Sequence, residues 1–126
     1  MSNNVKVFIS VPMNERSDEE IEGAILLTKR AFLKKMEELG QRSGNTFIIT
    51  DNYHVKHAEP KKDCIDERLY YLSEAIGQLS TCQIAVFGKG WKEARGCRME
   101  HEICENYRIS IVEPKSEEDS SNKIYY

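Results

Sequence analysis

The segment GWKEARGCRMEHEICENY, residues 90–107, holds the residues best placed to do chemistry. Its spacing predicts a helix entered through Gly96. Cys97, Ile103, Cys104 and Tyr107 then share one apolar face, and Glu100 falls on that same face. The polar residues Arg98, His101, Glu102 and Glu105 are predicted to point elsewhere. A carboxylate on an apolar helix face near the N-terminus feels two opposed effects. Desolvation raises its pKa and the helix dipole lowers it. The balance suits nucleophilic attack, or stabilisation of a cationic sugar centre. A second reading stays open: Glu100 caps its own helix or pairs at the surface with Arg95 or Arg98. Those two arginines have the charge to meet a phosphate, and Arg98 is equally spaced to pair with Glu102.

The other candidates also carry two readings each. Trp91 either stacks on a ligand's ring or covers apolar surface beside its loop. Asn52 follows the second apolar run, where a ligand binds or a simple Asp-Asn turn forms. His54 and His57 flank a long polar loop and are expected to be solvated, as are Lys61, Lys62 and Asp63. Cys97, His101 and Cys104 share one short segment, whereas structural zinc sites draw ligands from two. No metal is expected, and the cysteines read as small buried thiols.

These residues need a scaffold. VKVFIS (5–10) is an apolar, β-branched run that ends in a turn, VPMNERS. Ser17 and Glu20 have capping-box spacing, with Asp18 and Glu19 favouring a helix start. Ile21, Ile25, Thr28, Phe32, Met36 and Leu39 repeat at helical spacing until Gly40 stops the helix. TFIIT (46–50) is a second strand. The loop DNYHVKHAEPKKD is long enough to be a binding loop or lid. A second helix is predicted over 65–79, with Leu69, Leu72, Ile76 and Leu79 as its apolar face. CQIAVFG (82–88) reads as a buried parallel strand and ISIV (109–112) as a last strand. The alternation implies an α/β fold, a small Rossmann-like (flavodoxin-like) parallel sheet of four to five strands with helices on both faces. Residues 1–113 form the expected domain and 114–126 a polar C-terminal tail, ending in IYY that either stays loose or docks on a neighbouring subunit. Ligands in such folds bind outside the C-terminal strand ends. That brings Ser10–Asn14, Gly88–Gly96 and the first turn of the last helix together, with Glu100 at the bottom.

Composition bounds the function classes. The 126 residues suffice for one domain, and a net charge of −3 gives no electrostatic reason to expect nucleic acid. No apolar run approaches the roughly 20 residues that span a bilayer. The start MSNNVKVFIS lacks a signal-peptide pattern, so a cytoplasmic protein with reduced cysteines is expected.

Two blocks carry a resemblance. KVFISVPMN resembles the first strand and loop of the nucleoside 2-deoxyribosyltransferase-like superfamily. GWKEARGCRMEHEIC resembles its small branch, with a Gly-Trp, a short spacer and Gly-x-x-x-Glu-His-Glu. The likeness runs from about Val5 to Val112. It implies a Rossmann-like fold, a homodimer or higher homo-oligomer, no cofactor, and a nucleoside or nucleotide as ligand. Carried over residue by residue, Glu100 would attack C1′ of the sugar. Ser10, Val11, Pro12 and Met13 would line the sugar or phosphate side. Gly96 and Cys97 would offer amides to an anion, and Trp91 would wall the base. The chain departs from the family in three places. Val11 stands where a Gly is usual, and Ala75 and Gln83 stand where catalytic relatives carry Asp; Glu74, beside the first, is the candidate substitute. The expected function is an N-glycosidase or deoxyribosyltransferase-like enzyme, hydrolase or transferase. The alternative is a non-catalytic nucleotide or nucleotide-signal binder using the same pocket.

Overall fold

The computed structural model describes residues 3–51, 59–116 and 122–126. Strand β1 (Asn3–Ser10) shows why the fold has two cores. Successive side chains of a strand point to opposite faces. Val7 and Ile9 therefore enter one apolar cluster and Phe8 the other. Helix α1 (Asp18–Glu38) covers the first face with Ile21, Thr28, Phe32 and Met36. Its predicted capping box is present: Ser17 Oγ accepts from the Glu20 amide, and the Glu20 carboxylate accepts from the Ser17 amide, both at 3.1 Å. Gly40, at φ 70°, takes the left-handed position that ends the helix.

Strand β2 (Asn45–Asp51) leads through the loop to helix α2 (Glu67–Leu79), then β3 (Ile84–Phe87). A 3₁₀ turn (Trp91–Glu93), helix α3 (Arg95–Asn106), β4 (Ser110–Glu113) and β5 (Ile124–Tyr125) follow. All neighbouring strands pair in parallel, in the order β2-β1-β3-β4-β5. The expected α/β, flavodoxin-like sheet is thus what forms. Strand addition reverses between β1 and β3, so the switch point lies at Ser10 and Phe87, which are register partners. Gly88, just beyond, is required for packing. A Cβ there would lie 2.8 Å from both Thr28 Oγ1 and Val11 Cγ1.

Two expectations change. On α2 the side chains buried against the sheet are Ala75 and Leu79, whereas Leu69 is 65% exposed. Of the expected face, Leu79 is buried as predicted, while Leu72 and Ile76 are half-buried. Leu72 and Ile76 border a groove shared with Met99, Ile103 and Tyr107 of the α3 segment. At the end of the expected tail, residues 124–126 join the fold. Ile124 and Tyr125 extend the sheet, and Tyr126 packs on the α1-side core. The Tyr126 hydroxyl donates to the Phe87 carbonyl at 2.6 Å, and burial pushes this phenol up to about 12. No helix among the described residues is long and apolar enough to cross a membrane.

Candidate active site

Helix α3 carries the site because of how it starts. Gly90 (φ 84°) turns the chain into the 3₁₀ turn, and Ala94 then serves as N-cap with no side-chain oxygen to offer. The first-turn amides of Arg95, Gly96 and Cys97 therefore lack a side-chain cap. They open on a cleft of about 820 Å³, bordered by the β1–α1 loop, α2 and the start of α3.

Glu100 forms part of the cleft's floor and is only 2% exposed. The surface-capping reading therefore falls. Ser10 Oγ, fully buried at the end of β1, donates to Glu100 Oε1 at 2.8 Å. The other oxygen, Oε2, is buried with no hydrogen-bond partner among the described residues. Burial pushes the carboxyl up to about 7, and the Ser10 hydrogen bond works in the opposite direction. The result is a carboxyl group that titrates near neutral pH, held by one oxygen and, among the described residues, unpartnered at the other. Cys97 sits beside it; burial pushes its thiol up to about 12, as it does that of Cys104. Both thiols are therefore unsuited to attack.

Several expected residues meet here. Ser10 touches Glu100, and Val11, Pro12, Met13, Gly96 and Cys97 line the cleft. Val11 fits in place of a glycine because its side chain turns into the core, against the space that Gly88 leaves.

Others do not. Trp91 is not part of the cleft lining. Its indole stacks on the His101 ring at 4.0 Å and 12° and leans on Phe87. Glu74 is exposed on α2, beside the Tyr70 phenol, while Ala75 takes the cleft-facing position. Adjacent residues on a helix face about 100° apart, so Glu74 is a poor substitute for a carboxylate at 75. Gln83 precedes β3 and is bonded to Lys6, at the end of the sheet opposite the cleft. A carboxylate there would not reach the cleft either. Asn52, His54 and His57 lie outside the described residues.

One cluster was hidden from sequence spacing. His101, expected to face out, is 4% exposed. Its Nε2 lies 2.6 Å from Glu113 Oε2 and its Nδ1 3.0 Å from Glu105 Oε1. Lys123 lies 3.7 Å from Glu105 and 4.0 Å from Glu113. The network ties α3 to β4 and to the returning C-terminal segment. Only the His101–Glu105 spacing was visible beforehand; Glu113 arrives through tertiary folding.

No protein-family model, curated protein or solved structure matches the chain.

Proposed function

We propose that the chain is a nucleotide-directed N-glycosidase or deoxyribosyltransferase of the nucleoside 2-deoxyribosyltransferase-like type, with Glu100 as nucleophile. The observation that carries this reading is the buried Glu100 carboxyl, anchored through Oε1 and, among the described residues, unpartnered at Oε2, on the floor of a cleft. In its ionised form, Oε2 attacks C1′ of the sugar. The C1′–N bond breaks, its electrons leave with the base, and the base takes a proton from solvent. Water then attacks the glycosyl ester and frees Glu100; in transfer, a second base does so. Ser10 keeps donating to Oε1 throughout, so the carboxylate stays aimed. The raised pKa makes the ionised form more basic than a surface glutamate and still populated at neutral pH.

A second reading has its own support. Ala75 lines the cleft where a second carboxylate would assist the leaving base, and Glu74 faces solvent. In that reading the cleft holds a nucleotide, or a signal derived from one, without cleaving it. The family resemblance adds a homodimer or higher homo-oligomer to the proposal, and a cytoplasmic setting is proposed with it.

Incubation of wild-type protein and Glu100→Gln with nucleosides, 5′-monophosphates and dinucleotides separates the readings. Base release by wild type alone supports the enzyme. A thermal shift without base release selects the binder. Neither response from any compound rejects both.

A further inference from the structure

The cleft is cationic in an acidic chain. Net charge is −3 overall, yet Arg16, Arg68, Arg95 and Arg98 all line it, against Glu15 and Glu93 besides Glu100. The arginines come from three segments: the β1–α1 loop, the first turn of α2 and the start of α3. Arg68 and Arg95 sit in helical first turns, where the dipole disfavours a cation. Arg68 is compensated by the N-cap Asp66 at 3.1 Å. Arg95 is not, since α3 has no acidic residue in its first turn. Arg98 donates to the Lys92 carbonyl at 3.2 Å. Among the described residues no hydrogen bond or ion pair engages the guanidinium of Arg16 or of Arg95. Arg16 is held over Gly90: a Cβ on that glycine would lie 3.5 Å from Arg16 Nη2. The loop that presents it contains Glu15 at φ 60°, a conformation disfavoured for a residue with a side chain.

Two guanidiniums from separate segments, neither in a hydrogen bond or ion pair among the described residues although the charge of Arg16 acts on the Glu20 carboxylate, line one cleft with the uncapped start of α3 and Glu100. We propose that the ligand is a nucleotide bearing a pyrophosphate, a nucleoside diphosphate or a pyrophosphate-linked dinucleotide, with the two phosphates shared between Arg16 and Arg95 together with the α3 amides. A guanidinium fork matches one phosphate in a bidentate pair, so two forks suit two phosphates. The cleft volume of about 820 Å³ falls within the range of small-molecule and cofactor sites. This inference rests on the nucleotide reading above.

The test is calorimetric titration with adenosine, AMP, ADP and inorganic pyrophosphate, repeated with the uridine series. It uses wild type, Arg16→Gln, Arg95→Gln and the distant control Arg42→Gln. In the preferred base series the diphosphate is expected to bind roughly tenfold tighter than the monophosphate. Arg16→Gln and Arg95→Gln should each remove most of that gain and Arg42→Gln none. Equal affinity for mono- and diphosphate overturns the inference and leaves the nucleotide reading standing. A gain that survives both arginine variants also overturns it. Pyrophosphate binding as tightly as either diphosphate, with nothing added by the nucleoside, rejects the nucleotide reading and the inference with it, as does no binding at all.

Discussion

Replacing Glu100 by Gln should stabilise the protein, and by an amount that depends on pH. The folded-state pKa of Glu100 is about 7, raised from 4.5 by burial. A raised carboxyl pKa means that the folded state holds the proton more tightly than the unfolded chain. Its stabilising contribution is complete below about pH 4.5. It is lost as pH rises, by about 1.4 kcal/mol per pH unit, until the folded group has titrated near pH 7. The whole loss is about 3 kcal/mol. A glutamine side chain in its place keeps the Ser10 hydrogen bond through its carbonyl oxygen and has no charge to desolvate. Glu100→Gln should therefore match wild type near pH 4 and exceed it by up to about 3 kcal/mol at pH 8. For a chain of this size that corresponds to a Tm gain on the order of 10 °C. Thermal unfolding of both proteins across pH 4–8 reads the difference directly, and other titrating groups cancel. A Tm difference that stays constant with pH, or grows toward acid, would refute the desolvation argument.

Ser10→Ala removes the hydrogen bond that lowers the Glu100 pKa, so its titration, followed by carbon NMR of the carboxyl, should move upward from about 7. His101→Ala takes away the 2.6 Å partner of the buried Glu113 carboxylate, leaving Lys123 at 4.0 Å as its ion-pair partner among the described residues, and should cost about 3 kcal/mol in urea unfolding. Tyr126→Phe leaves the Phe87 carbonyl without its 2.6 Å donor and should cost about 1 kcal/mol in the same assay. Trp91→Phe should leave nucleotide affinity within about twofold, because the indole packs on His101 and not on the cleft.

The sheet was legible because each strand is an apolar run and each helix a clear period. The capping box at Ser17 and Glu20 and the stop at Gly40 are local signals, and local signals survive folding. Glu100 was legible for a related reason: a lone carboxylate on an apolar helix face has few places to go. What failed was non-local. The α2 stripe of Leu69, Leu72 and Ile76 could face the sheet or a neighbouring helix, and periodicity does not distinguish the two. Trp91 carried two readings, stacking on a ligand's ring or covering apolar surface, and spacing did not separate them; the indole packs on His101 and Phe87. Gln83 looked like a missing catalytic position until strand direction put it at the far end of the sheet. Residues 124–126 look like the end of a polar tail, and only pairing with Val112 and Glu113 makes them part of the fold.

The central claim is that Glu100 bonds covalently to the sugar. A slowly reacting 2′-deoxy-2′-fluoroarabinosyl nucleotide, followed by intact-protein mass spectrometry and tryptic mapping, tests it most directly. An added mass equal to the glycosyl group, confined to the peptide Met99–Arg108 and absent from Glu100→Gln, is the result the account predicts. Base release without an adduct, or an adduct on any other peptide, would contradict it.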